Sequence, residues 1–173
     1  CPQDHERTRS TLALSEGTVR AVLLSAPALL HSVPPSEEIE PLRLSVRVGD
    51  ELLVEMLLDH LDGVGYRRED PVVEAGSFAR RGGIVDVFPP GQLWPLRIEF
   101  FGDRIDSLRE FDSSTQRRRH EIEEITLLPF GVPSGGVRRA IPEILPPHWL
   151  AVIDPDSVGA ELERTLHLKV TAN

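Results

Sequence analysis

The stretch Trp94-Pro95-Leu96-Arg97-Ile98-Glu99-Phe100-Phe101-Gly102-Asp103 constrains the fold more than any other part of the chain. Side chains alternate along a strand, so an extended Leu96 to Phe101 puts Leu96, Ile98 and Phe100 on one face and Arg97, Glu99 and Phe101 on the other. The first is a core face. The second sets a cation, a carboxylate and an aromatic ring side by side, a mixture that suits a partner surface. Glycine takes the positive backbone angles of a two-residue turn, so Gly102-Asp103 closes a hairpin and Arg104 to Phe111 returns beside it. Alternation breaks between Ile105 and Leu108, and a bulge near Asp106-Ser107 restores it. On this reading Arg97→Ala leaves stability within roughly 0.5 kcal/mol. Phe100→Ala costs about 3 to 5 kcal/mol through lost burial.

The flanks have a different texture. Val19 to Ser25 is a short apolar run, as in a buried parallel strand, and Ala26 to Val33 begins a helix with an early proline. Leu42 to Val48 alternates as a half-buried strand. Asp50 is predicted to cap a helix over Glu51 to Leu61 whose Leu53, Met56, Leu57 and Leu61 share a face, with Gly63 and Gly65 ending it. From Tyr66 the pattern turns to short strands at 71–74, 77–80 and 84–88, then the hairpin, then a strand near 122–127. Pro129 to Gly136 is a turn-rich linker. Trp149 to Asp154 reads as a further buried strand, and Asp156 as the cap of a helix over 157–166. The fold class is therefore α/β: a strand-and-helix frame at 1–64 and 129–173, with a small antiparallel β-sheet (α+β) domain inserted at 65–128.

Chemistry is sparse. There is no G-x-x-x-x-G-K-[ST] loop, so no P-loop nucleotide hydrolysis is expected, and the histidines share no metal-ligand spacing and have no cysteine partner. No cofactor or metal is expected, and no nucleophile motif appears. Glu99, Asp103 and Asp106 lie near one hairpin, but a solvated strand face is the commoner setting for carboxylates. The net charge of −9 over 173 residues speaks against binding DNA chiefly by its phosphates. Of the 19 basic residues all but Lys169 are arginine, which pairs well with carboxylates. One cysteine, at position 1, no apolar leader and no run near the roughly 20 residues of a membrane helix make this a cytoplasmic chain by expectation, with no membrane partner. Arg80-Arg81 entering Gly82-Gly83, and the run Arg117-Arg118-Arg119, each read as solvated charge or as a contact surface.

Several spaced strings share one further property. Gly65-Tyr66-Arg67-Arg68, Gly76 to Pro89, Arg97 to Asp103 and Phe111-Asp112-Ser113-Ser114-Thr115-Gln116-Arg117 resemble the module shared by the excision-repair subunit UvrB and the N-terminal part of the transcription-repair coupling factor (Mfd). The last string is closer to the coupling factor, since UvrB carries Asp-Pro-Leu-Thr-Gly there. The resemblance implies that 65–128 is the docking surface for the damage-recognition ATPase UvrA, set in a degenerate helicase-like domain, and that it is not itself an enzyme. It carries binding roles onto Arg68, Arg81, Arg97 and Glu99 from the UvrB side, and onto Arg81, Arg97 and Phe101 from the coupling-factor side. Ala79 stands where UvrB commonly has a further arginine, and Arg104 where both relatives usually have glutamate. RNA polymerase contact and DNA translocation belong to parts of the coupling factor not matched here. The alternatives are a DNA-binding module using Arg80, Arg81 and Arg117 to Arg119, or a piece of an ATP-driven translocase.

Overall fold

The computed structural model describes residues 21–30, 32–131, 136–145 and 151–171, with side chains of the last segment described to 166. In chain order the elements are α1 (Ala26–Leu29), β1 (Ser32–Val33), α2 (Ser36–Ile39), a 3-10 turn at Glu40–Leu42, β2 (Leu44–Arg47), α3 (Val54–Gly63) and β3 (Arg67–Arg68). Then follow β4 (Ser77–Arg81), β5 (Ile84–Val87), β6 (Leu96–Phe101), β7 (Arg104–Phe111), β8 (Arg118–Ile122) and β9 (Glu124–Leu127). The described chain ends with β10 (Arg139–Ala140), α4 (Ile141–Ile144) and α5 (Pro155–Thr171).

The structure is α+β. Six strands form one sheet in the order β3-β4-β5-β6-β7-β8, antiparallel except for the first pair, and β2–β9 and β1–β10 are two-stranded antiparallel ladders. The turns at Gly82-Gly83 and Gly102-Asp103 are both two-residue hairpins with glycine first, at φ +64° and +63°, where an L side chain is strained. Glu99 pairs with Ser107 and Phe100 with Ile105, so Asp106 is the extra residue of a bulge, where the broken alternation placed it.

The core lies on one face of this sheet. Phe78, Val85, Val87, Leu96, Ile98, Ile105 and Leu108 meet Val54, Leu57, Leu58 and Leu61 of α3, with Val46 of β2 and Leu127 of β9 in the same cluster. The helix buries Val54, Leu57, Leu58 and Leu61, while Leu53 and Met56, expected on that face, are exposed. The end of this unit returns to its start. The amides of Phe130 and Gly131 both donate to the carbonyl of Val64, at 3.0 Å each, and the buried Tyr66 hydroxyl donates to the Leu128 carbonyl at 2.7 Å. The strand and helix before residue 65 thus share their core with the strands after it.

Other expectations require correction. Asp50 does not cap α3. Residues 49–52 instead run beside the start of β7, with Gly49 N–H donating to Ile105 O, Ile105 N–H to Asp50 O and Leu52 N–H to Asp103 O, so the helix begins only after Leu53. No strand forms at 71–74, because β3 and β4 are parallel and a parallel pair cannot be joined by a tight hairpin; residues 69–76 are the connection. The part of the run at 19–25 that is described, 21–25, is not a strand, and Leu23 is 91% exposed. Residues 151–154 are likewise not a strand, and Ile153 is exposed. A buried parallel strand needs hydrogen-bonded neighbours, and among the described residues neither run has one. At α5 the amide of Ser157 donates to Asp154, two residues before the expected cap. Residues 1–20 of the expected frame lie outside the described residues.

Candidate functional site

The register of the sheet fixes which side chains share its outer face, the one opposite α3. Across β4 to β7, Arg81 pairs with Ile84, Ile84 with Glu99 and Glu99 with Ser107; one row away Ala79, Asp86, Arg97 and Arg109 form a second line. Register partners present their side chains on the same face, and rows two residues apart are separated by roughly 7 Å. Arg81, Arg97 and Glu99 are therefore neighbours, and Phe101, 83% exposed, stands beyond them at the hairpin tip. Arg68 is not among them. It is the register partner of Phe78, whose ring it overlies at 5.3 Å, and it pairs with Asp62 of α3 at 2.5 Å on the opposite face. Its hydrogen bond to Asp62 raises its pKa.

Arg97 is the best-held residue of the face. Nε and Nη2 donate to the two carboxylate oxygens of Asp86 at 2.6 and 2.7 Å, Nη2 also donates to Gln116 Oε1 at 2.9 Å, and the guanidinium lies 4.5 Å above the Phe111 ring. Its side chain is 15% exposed and that of Asp86 4%. The hydrogen bond to Asp86 outweighs burial and raises the Arg97 pKa. The expectation of a solvated arginine is corrected: Arg97 lies on the outer face that parity gave, but it is largely buried there in an ion pair with Asp86. Glu99 accepts from Ser107 at 2.8 Å and from both terminal nitrogens of Arg109. Arg81 pairs with Asp70, a hydrogen bond that raises its own pKa and lowers that of the aspartate.

The string 111–117 acquires a physical role here. Asp112 accepts from the Ser114 hydroxyl and from the amides of Ser114 and Thr115, which lowers its pKa to about 2. That turn carries Gln116 at φ +59°, from where it reaches Arg97. Asp86, Phe111, Gln116, Ser107 and Arg109 were not singled out from sequence. The available signal was Asp86 inside Ile84-Val85-Asp86-Val87-Phe88, since a carboxylate in an apolar strand calls for a cation. The basic run 117–119 is partly built into β8, with Arg118 paired to Glu121 at 2.7 Å and Arg119 3.9 Å above the Trp94 ring.

Among the described residues no group of His, Cys, Asp and Glu is arranged to hold a metal ion, and no helix is long and apolar enough to cross a membrane. The outer face sets the exposed Phe101 ring beside charges held in internal ion pairs.

The family model of the UvrB interaction domain matches residues 44–131, the span that closes on itself through β2–β9 and the Val64 carbonyl. The chain is similar to transcription-repair-coupling factors: 37% identical over 123 residues to that of Staphylococcus aureus strain MSSA476, covering 70% of this chain and 10% of that protein. It is 38% identical over 129 residues to that of Escherichia coli K12, covering 73% and 11%, and 39% over 107 residues to that of Haemophilus influenzae, covering 62% and 9%. The chain spans about a tenth of the length of these relatives. With the match covering just over half of its residues, the chain belongs to the UvrB interaction domain family.

Proposed function

We propose that this chain is a non-enzymatic docking module of nucleotide excision repair that engages a UvrA-type ATPase through the outer sheet face, with Phe101 as anchor and Arg81, Arg97 and Glu99 around it. The observation that carries the reading is Phe101 itself, a large ring left 83% exposed beside an ordered ion-pair network. An exposed aromatic on a rigid element costs little entropy to bury in a partner, and such residues dominate interface energies. Arg68, on the other face, would contribute only where the partner wraps the β3 edge. RNA polymerase contact is assigned to other parts of the coupling factors, and a cytoplasmic location follows from the repair role.

The reading is tested by titrating purified UvrA against the chain and its Phe101→Ala and Arg81→Ala variants, with melts on the same samples. Phe101→Ala is expected to weaken binding by about 2 kcal/mol or more while the melt is unchanged. Wild-type affinity in Phe101→Ala would remove the anchor and with it the proposal. The DNA-binding alternative is weaker, because Arg118 and Arg119 already engage Glu121 and Trp94.

A further inference from the structure

The arginines of the outer face are matched within the chain: Arg81 by Asp70, Arg97 by Asp86 and Arg109 by Glu99. Arg104 stands apart. It is the register partner of Phe101 across the Gly102-Asp103 turn, both are exposed, and it makes no ion pair among the described residues. Its backbone is fixed from both sides, by Phe101 in β6 and by the bridge to Glu51. Its Nη2 extends to within 3.7 Å of where a Cβ on Gly49 would sit, in ordinary contact.

We infer that Phe101 and Arg104 form a two-part recognition tip, in which the ring enters an apolar pocket of the partner protein and Arg104 selects a carboxylate at that pocket's rim. This deepens the docking reading and rests on it. A guanidinium presents a planar fork matched to a carboxylate, and this one has no ion-pair partner to surrender among the described residues. The same fork would suit a phosphate. The surroundings favour a single protein carboxylate, because Asp50, Glu51, Asp103 and Asp106 are exposed near Arg104 and the chain is acidic overall, which repels a polyanion. A charge at an exposed rim acts mainly on association rate and its salt dependence.

The test follows association and dissociation of the 173-residue chain and UvrA of the same organism, at low and at physiological ionic strength, for wild type, Phe101→Ala, Arg104→Ala, Arg104→Lys and Arg104→Glu, with duplex DNA as a second probe. Arg104→Ala is expected to slow association by about threefold and Arg104→Glu by on the order of tenfold at low salt, with Arg104→Lys near wild type and the differences shrinking as salt rises. Melting should be unchanged throughout. If Phe101→Ala weakens binding while all three Arg104 variants associate like wild type, the rim role is overturned and the docking reading stands. If Phe101→Ala also binds normally, both fall. If the Arg104 variants lose DNA binding and keep UvrA binding, the ligand is phosphate and the carboxylate assignment is wrong.

Discussion

Removing Arg97 should damage the fold before it says anything about docking. Asp86 is 3% exposed and both of its oxygens are occupied by Arg97, so Arg97→Ala strands a carboxylate in the sheet. Breaking a buried pair from one side costs about 3 to 5 kcal/mol. Because the Arg97 side chain keeps 15% exposure, water can reach the vacated site, and the low end, about 3 kcal/mol, applies. The lost stacking on Phe111 adds roughly 0.5 to 1 kcal/mol. For a chain of this size each kcal/mol corresponds to about 2 to 4 °C, so the melting point should fall by roughly 10 °C. Urea unfolding of Arg97→Ala, Asp86→Ala and the double variant separates the causes. The double variant leaves no stranded charge, so it should be more stable than the sum of the singles by at least about 1.5 kcal/mol. A loss within about 0.5 kcal/mol for Arg97→Ala, together with additive singles, would mean that the pair does not support the sheet.

Further outcomes follow from other positions. Gly76→Ala should cost at least about 2 kcal/mol, because its φ is +82° and a Cβ there would sit 2.2 Å from the Phe130 ring; combining it with Phe130→Ala should cost less than the sum in urea unfolding. Phe100→Ala should cost about 3 kcal/mol, the low end of the range for a buried ring, since Phe100 is only partly buried against the core; calorimetry checks it. His60 has its pKa lowered by burial from the ordinary 6.5, so the unfolded chain binds the proton more tightly and stability should decline as pH falls below about 6.5. His60→Gln should flatten that slope in urea midpoints measured across pH. A fragment of residues 44–131 should melt cooperatively, whereas 65–128 alone, lacking α3 and β2, should not.

The central hairpin was legible because its signals are local. Two-residue alternation gave the faces of Leu96 to Phe101, glycine gave the turn at Gly102-Asp103, and the slip between Ile105 and Leu108 gave the bulge at Asp106. What escaped depends on contacts between distant residues. Asp50 has the chemistry of a cap, but its carbonyl is claimed by Ile105 of β7. A two-residue strand such as β3 has no period to read, so Arg68 could not be assigned a face until its pairing with Phe78 was seen. Parity likewise places Arg97 on the outer face without revealing that Asp86, Gln116 and Phe111 surround it.

That enclosure bears on how such a face would bind. Each of Arg81, Arg97 and Glu99 is held by an opposite charge of the same chain, so a partner charge arriving there gains little unless it shares the existing pair. Arg97 can share: its Nε and Nη2 are used, while Nη1 makes no hydrogen bond among the described residues. The network then acts chiefly through rigidity, fixing β6 and β7 so that the tip carrying Phe101 is presented in one geometry and little conformational entropy is lost on docking. Affinity would reside in burying the ring, and the charges would decide which surface is allowed to bury it. This division also reconciles the proposed docking role of an arginine-rich face with a chain of net charge −9, because most of those arginines are neutralised in place.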